Sequence, residues 1–221
     1  MEKISVIVPC FNEEEVLPLF YDEMIRVAGV MDAFDFELLF VDDGSKDNTW
    51  NEIRQVCAEN KRVSALRFSR NFGKEAAIFA GLDYAKGDCV AVIDCDLQHP
   101  PATLVEMYHL WEEGYEVVEG IKSKRGKESP FYRLFTNIFY GIMSSLMKID
   151  MNKTSDFKLL DRKVVNALLD LPERNTFFRA LSFWAGFKST HVTFDVAERK
   201  AGKSKWSFSG LVKYAISNTT S

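Results

Sequence analysis

Five short, near-continuously apolar runs punctuate the first half of the chain: KISVIVP (3–9), FELLFVDD (36–43), VSALRFS (63–69), DCVAVID (88–94) and YEVVEGI (115–121). Runs of this length, bounded by polar turns, predict parallel strands covered on both faces. The segments between them, 13–29, 47–60, 74–86 and 101–113, carry helical periodicity. Gly87 is placed to cap the third helix, and Pro100-Pro101 to open the fourth. Strand and helix alternating in this order predict an α/β fold: a mostly parallel sheet, flanked by helices, with right-handed crossovers.

After Ile121 the pattern changes. KSKRGKESP (122–130) is a polar, basic loop. FYRLFTNIFYGIMSSLMKI (131–149) interrupts its apolar positions at 133, 136, 137, 141, 144, 145 and 148, which gives a helix with a wide apolar face. DFKLLD (156–161) is read as returning to the sheet, and STHVTFDV (189–196) alternates like an edge or hairpin strand. ERKAGKSKWS (198–207) is a second basic loop, leading to a last helix with apolar positions at 208, 211, 212, 215 and 216. Both helices lie beside cationic loops, the pattern of interfacial helices at a membrane surface, with two ordinary core helices as the alternative.

The chain has 221 residues, enough for one large domain with a real core. Its net charge of −4 argues against a dedicated nucleic-acid binder. Cys10, Cys57, Cys89 and Cys95 form no C-x-x-C pair and read as free thiols in a reducing compartment. The chain opens directly into a strand, so no signal peptide is expected, and no run of eighteen apolar residues exists to span a bilayer.

Open parallel sheets bind ligands outside the carboxyl ends of their strands. The residues that follow the first four strands are Pro9-Cys10-Phe11-Asn12-Glu13, Asp42-Asp43-Gly44-Ser45, Ser69-Arg70-Asn71-Phe72-Gly73-Lys74 and Asp94-Cys95-Asp96-Leu97-Gln98. Four polar strand ends thus converge on one rim, with two aspartate pairs among them. Asp94 and Asp96 repel unless something positive lies between them. A nucleophilic Cys95, a metal site and a plain acidic turn all compete to explain this pair. In extended chain, residues i and i+2 face the same way, so Asp94, Asp96 and Gln98 share one side and Cys95 takes the other. Hard oxygen donors at this spacing suit Mg²⁺ or Mn²⁺, whereas flanking carboxylates disfavour a Cys95 thiolate. The metal reading is preferred. His99 reads as a turn-packing residue rather than a ligand.

VIVPCFNEEEVL, FVDDGSKDNT, NFGKEAAIFAGLDYAKGD and VIDCDLQHPP, in this order, resemble the signatures of family 2 glycosyltransferases with the GT-A fold. Together with TSDFKLLDRKVV and RKAGKSKWS, they are most similar to the branch that includes dolichyl-phosphate mannosyltransferase and bacterial polyprenyl-phosphate glucosyltransferases. The likeness spans residues 3–210. It implies one catalytic domain over 1–221, with a nucleotide-sugar-binding half (1–121) and an acceptor- and membrane-facing half (122–221). Pro9, Phe11, Glu13, Asp42, Asp43, Lys74 and Asp94 then fall at nucleotide-sugar positions, with Phe11 standing where a Tyr is commoner. Asp94, Asp96 and Gln98 match metal-side positions for Mg²⁺ or Mn²⁺. Arg199, Lys203 and Lys205 match a basic loop that closes on phosphates, and Arg125 and Arg133 are further phosphate or acceptor contacts. Asp156 falls near the reacting sugar, and it and Asp96 are the catalytic candidates.

The resemblance therefore implies metal-dependent, inverting transfer from a UDP- or GDP-sugar to a polyprenyl phosphate. The expected location is the cytoplasmic face of a membrane, peripheral in this form, with transmembrane helices following in relatives. A saccharide-hydroxyl acceptor and a catalytically inactive nucleotide-sugar-binding module are the alternatives. A nucleotidyltransferase would want a Gly-rich phosphate loop after the first strand, which PCFNEEE is not. The sugar and the oligomeric state, a homo-oligomer included, are left open.

Overall fold

The computed structural model describes residues 2–30, 35–123, 155–171, 178–179 and 186–195. Along the chain lie β1 (Lys3–Cys10), α1 (Leu17–Val30), β2 (Asp35–Asp42), α2 (Thr49–Glu59), β3 (Val63–Arg67) and α3 (Lys74–Tyr84). There follow β4 (Cys89–Val92), α4 (Thr103–Glu112), β5 (Val117–Lys122), β6 (Lys158–Asp161), α5 (Arg162–Leu169) and β7 (Ser189–Phe194). The strands form one sheet in the order β3-β2-β1-β4-β6-β5-β7. Four of its six pairings are parallel, and only β6 runs against its neighbours, β4 and β5.

The continuous apolar runs are explained by a core on each face of the sheet. Ile4, Val6 and Val8 of β1 face the side packed by Phe20, Met24, Ile53 and Tyr108. Ile7 faces the other side, with Ile78 and Leu82 of α3 and Val164, Val165 and Leu168 of α5. β4 divides in the same way, Cys89 and Ala91 to one core and Val90 and Val92 to the other. Each large apolar side chain fully buried in this way contributes roughly 1.5–3 kcal/mol.

All five expected strands form, and 156–161 does return to the sheet, as β6. The segment 189–196 supplies an edge strand, but it pairs parallel with β5 and makes no hairpin. Helix α5 is an addition to the sequence reading. Asp161 caps it by accepting from Lys163 N–H at 2.9 Å, and its apolar positions 164, 165 and 168 are buried. Gly87 is not a helix cap. α3 ends at Tyr84, with Ala85 N–H bonded to Gly81 O. A Cβ at Gly87 would lie 2.6–2.7 Å from backbone atoms of Cys89, Ser5 and Lys3, so the residue allows two chain segments to touch. Pro100 and Pro101 precede α4 in a turn, and the helix itself begins at Thr103.

The expected helices at 131–149 and 208–216 lie outside the described residues, as do Arg125, Arg133, Arg199, Lys203 and Lys205. Among the described residues, no helix is long and apolar enough to cross a membrane.

Candidate active site

The first two rim loops are laced together by short polar side chains. Asn12 N–H donates to Ser45 Oγ at 2.8 Å, Glu13 N–H to Thr49 Oγ1 at 2.7 Å, and Lys46 N–H to Asn12 Oδ1 at 2.8 Å. Asn12 takes a positive φ of 54°, a conformation its short amide side chain tolerates well. Pro9, Phe11 and Glu13 are half-buried at this rim. Asp42 is fully buried: Oδ1 accepts from Ser45 N–H at 3.0 Å, and Oδ2 faces Arg67 Nε at 3.2 Å.

Asp43 fixes the third loop. Its carboxylate accepts from Phe72 N–H at 2.7 Å and Gly73 N–H at 3.0 Å. Burial raises the Asp43 pKa, and the two backbone donors offset part of that rise. Gly44, at φ 69°, lets the same loop approach closely, since a Cβ there would lie 2.5 Å from the Arg70 carbonyl carbon.

Beyond β4, Asp94, Asp96 and Gln98 are half-buried, while Cys95, Leu97 and His99 are buried. Burial therefore alternates as expected, but the chain here is a turn and not the extended segment the sequence suggested: β4 ends at Val92 and Leu97 takes a φ of 58°. Burial, followed by the neighbouring Cys10, pushes the Cys95 thiol well up, so it stays protonated and is no nucleophile. His99 packs between Phe157 and Phe194, with ring centroids at 5.3 and 5.4 Å. Its Nδ1 lies 3.9 Å from Asp94 Oδ2 without a hydrogen bond. Burial lowers the His99 pKa, so the imidazole is neutral.

Because β6 runs antiparallel to β4, with Val92 opposite Lys158, the residues just before β6 arrive at the same rim as those just after β4. Asp156 is thereby brought to Lys74 and Asp94. Lys74 Nζ contacts Asp94 Oδ1 at 2.7 Å, Asp94 Oδ2 at 2.9 Å and Asp156 Oδ2 at 2.9 Å. Arg179 closes the other side of Asp156 with two hydrogen bonds, Nε to Oδ1 and Nη2 to Oδ2, each 3.0 Å. Burial pushes Asp156 up, but the Lys74 and Arg179 cations outweigh it and hold the carboxyl far below the usual range. Asp94 is likewise pushed up by burial and pulled below its ordinary value by Lys74. Burial works against the Lys74 ammonium, yet its two carboxylates raise its pKa.

Beneath this cluster, Lys158 of β6 forms a buried ion pair with Glu119, its cross-strand partner on β5, and Lys158 Nζ reaches Arg179 O at 3.4 Å. Sequence reasoning missed Arg179, Lys158 and Glu119. Glu119 and Lys158 each interrupt an apolar strand, a signal for a buried pair. Arg179 lies in RNTFFRAL, which has no periodicity to place it.

The donor set at the rim fits a hard divalent cation. Among the described residues, no three His, Cys, Asp or Glu side chains converge as a metal cage. Mg²⁺-type sites, however, usually take only one or two carboxylates, with water and substrate phosphates completing the shell. Asp96 and Gln98 offer such oxygens on the half-exposed side, although Asp96 Oδ1 also accepts from Gln98 N–H at 3.0 Å. Asp94 contributes only if Lys74 gives way.

A glycosyl transferase family 2 model matches residues 5–169. An uncharacterized glycosyltransferase of Bacillus subtilis, YkcC, is 42% identical over 219 residues, covering 98% of this chain and 67% of that protein. The bactoprenol glucosyl transferase of Shigella phage SfV is 38% identical over 221 residues, covering 99% and 71%. The chain thus spans about two thirds of the length of the curated relatives it matches. Among solved structures, glucosyl-3-phosphoglycerate synthase from Mycobacterium tuberculosis, in complex with Mn²⁺, UDP and phosphoglyceric acid, superposes with a TM-score of 0.71. It is 20% identical, and the match covers 99% of this chain and 76% of that one. A Pyrobaculum calidifontis mannosyltransferase in complex with GDP-Man and Mn²⁺ superposes with a TM-score of 0.64 at 18% identity, over 92% and 58%. These two likenesses establish the shared GT-A fold. The chain belongs to glycosyl transferase family 2 and is a glycosyltransferase.

Proposed function

We propose that this chain transfers a sugar, with inversion, from a UDP- or GDP-sugar to a polyprenyl phosphate at the cytoplasmic face of a membrane. The observation that carries the acceptor assignment is the pair of cations bracketing Asp156. A hydroxyl acceptor needs a base whose pKa lies near the working pH. Asp156, held far below that by Lys74 and Arg179, is a very poor one. A phosphate monoester needs no base, because it arrives already anionic. Relatives named as bactoprenol glucosyl transferases support the same acceptor class.

On this reading Pro9, Phe11, Glu13, Asp42 and Asp43 shape the nucleotide pocket, and Asp94 lies toward the ribose and metal. Asp96 and Gln98, with Asp94, would hold Mg²⁺ or Mn²⁺. When bound, that cation neutralises charge on the leaving diphosphate. The acceptor oxygen forms its bond to the anomeric carbon as the bond to the diphosphate oxygen breaks, and the diphosphate keeps the electron pair. Asp156 faces the positive charge that develops at that carbon. The basic residues Arg125, Arg133, Arg199, Lys203 and Lys205 complete the phosphate contacts, and the apolar positions of 131–149 and 208–216 are assigned to the membrane surface.

Incubation with UDP-glucose or GDP-mannose and Mn²⁺, with product separation by thin-layer chromatography, tests this. Sugar should appear on an undecaprenyl phosphate acceptor and not on undecaprenol or a free saccharide. Transfer to either hydroxyl would overturn the acceptor assignment. A lack of diphosphate release from any donor would overturn the transfer itself.

A further inference from the structure

A lysine ammonium has three N–H groups. At Lys74 they are directed at two carboxylates: Nζ donates to Asp94 Oδ2 and to Asp156 Oδ2, each at 2.9 Å, and also lies 2.7 Å from Asp94 Oδ1. Both oxygens of a candidate metal-side carboxylate therefore lie within ion-pair distance of an internal cation. We infer that Lys74 is an exchangeable counter-ion: it neutralises Asp94 in the donor-free protein, and leaves Asp94 for the donor's diphosphate when a divalent cation arrives with the nucleotide. This rests on the donor reading above and assigns to Lys74 the coupling between metal and nucleotide.

The geometry makes the two cations competitors. A divalent ion bonded to an Asp94 oxygen at about 2.1 Å would lie within about 5 Å of Lys74 Nζ in its present place. The ion alone gives Lys74 no new partner. An ion that brings a diphosphate does, since the diphosphate supplies the anion that Lys74 loses. Asp156 is not stranded by the exchange, because Arg179 already holds both of its oxygens. Nor must the backbone move. Lys74 opens α3, and the preceding Gly73 N–H is pinned by Asp43. Only the flexible lysine stem has to swing.

Exchange of this kind makes metal and nucleotide affinities raise one another by the same factor, commonly about 5–150-fold. The test is calorimetric titration of Mn²⁺ into the whole chain, alone and with saturating UDP or GDP, for the wild type and Lys74→Met. The wild type should bind Mn²⁺ at least about tenfold more tightly with nucleotide present than without it. Lys74→Met should bind Mn²⁺ alone about tenfold more tightly than the wild type does, with the gain from nucleotide reduced to about threefold or less. If Lys74→Met fails to fold because Asp94 and Asp156 repel, the double variant Lys74→Met/Asp156→Asn removes one charge of each sign, and the same outcome is expected. Unchanged or weaker binding of Mn²⁺ alone by the variant, with the nucleotide gain intact, overturns the exchange and leaves the donor reading standing. A wild type that binds neither UDP nor GDP with Mn²⁺ overturns the donor reading, and the exchange with it.

Discussion

Arg179 grips both oxygens of Asp156, Nε to Oδ1 and Nη2 to Oδ2 at 3.0 Å each, while Lys74 holds Oδ2 from the other side at 2.9 Å. Paired N–H donors in the plane of a carboxylate are among the stronger charge-assisted contacts. They link a segment just before β6 to one that precedes β7, and through Lys74 to the start of α3. The cluster is structural as well as chemical.

Its contribution to stability has a defined pH window. A carboxyl depressed in the folded state stabilises fully above its unfolded value, about 3.9, and loses that contribution as pH falls toward the folded value. Lys74, raised in the folded state, contributes below its unfolded value of about 10.4 and loses it only as pH rises beyond. The cluster is therefore whole from about pH 5 to 9. Asp156→Asn should cost roughly 2–3 kcal/mol at pH 7, below the usual range for removing one partner of a buried pair because Lys74 keeps Asp94. Urea melts at pH 7 and pH 3 check this, and the gap between wild type and variant should narrow at pH 3.

Asp96→Ala should abolish Mn²⁺-dependent nucleotide binding while costing only about 1 kcal/mol of stability, the worth of its bond to Gln98 N–H. Calorimetry with and without EDTA reads the first effect and a denaturant melt the second. Nucleotide affinity unchanged by EDTA in the wild type would remove Asp96 from the metal.

Gly44→Ala should damage fold and site together. The φ of 69° disfavours a side chain, and the new Cβ would meet Arg70 backbone, which has no rotamer with which to retreat. The Arg70–Gly73 loop must shift, and with it the base of Lys74. We expect a loss of at least about 2 kcal/mol, roughly 4–8 °C in Tm, together with a higher donor KM.

Much of the fold was legible because its signals are local. β1 to β5 are short apolar runs, and the rim loops follow from where those runs end. The half-buried side shared by Asp94, Asp96 and Gln98 was legible as a two-residue alternation, although the chain there turns, with Leu97 at φ 58°, and does not extend. Asp156 could be singled out only by resemblance, since its meeting with Lys74 depends on β6 running antiparallel, and direction leaves no mark on a strand as short as KLLD. Arg179 was illegible because a lone cation between FF and AL carries no period. Gly87 misled because a glycine after a helix most often caps it, whereas here it clears space for Ser5 and Lys3.

The sequences of 122–149 and 198–216 combine clustered lysines and arginines with apolar positions at helical spacing, and basic residues near anionic lipid contribute about 1 kcal/mol each. The chain should therefore co-sediment with phosphatidylglycerol vesicles at low salt and release as salt is raised. Protein that stays in the supernatant at low salt would count against a peripheral membrane location.

The decisive kinetic prediction concerns Asp156 again. A base that matters leaves a limb in the pH–rate profile at its own pKa. Asp156 is held ionised, burial being outweighed by Lys74 and Arg179, and Arg179 keeps both of its oxygens when Lys74 turns to the donor, so no limb of its own is expected in the working pH range. The acceptor can: the second proton of a phosphate monoester leaves near pH 6. Wild-type transfer to a prenyl phosphate should rise through about pH 6 and then stay flat to about pH 9. Asp156→Asn should be slower by about 10²-fold or more, the scale of losing one preorganised electrostatic contact in the transition state. Its profile should keep the same single rise, since that rise belongs to the acceptor. A second limb in the wild type that vanishes in Asp156→Asn would make Asp156 a true base, and the acceptor would then be a hydroxyl group.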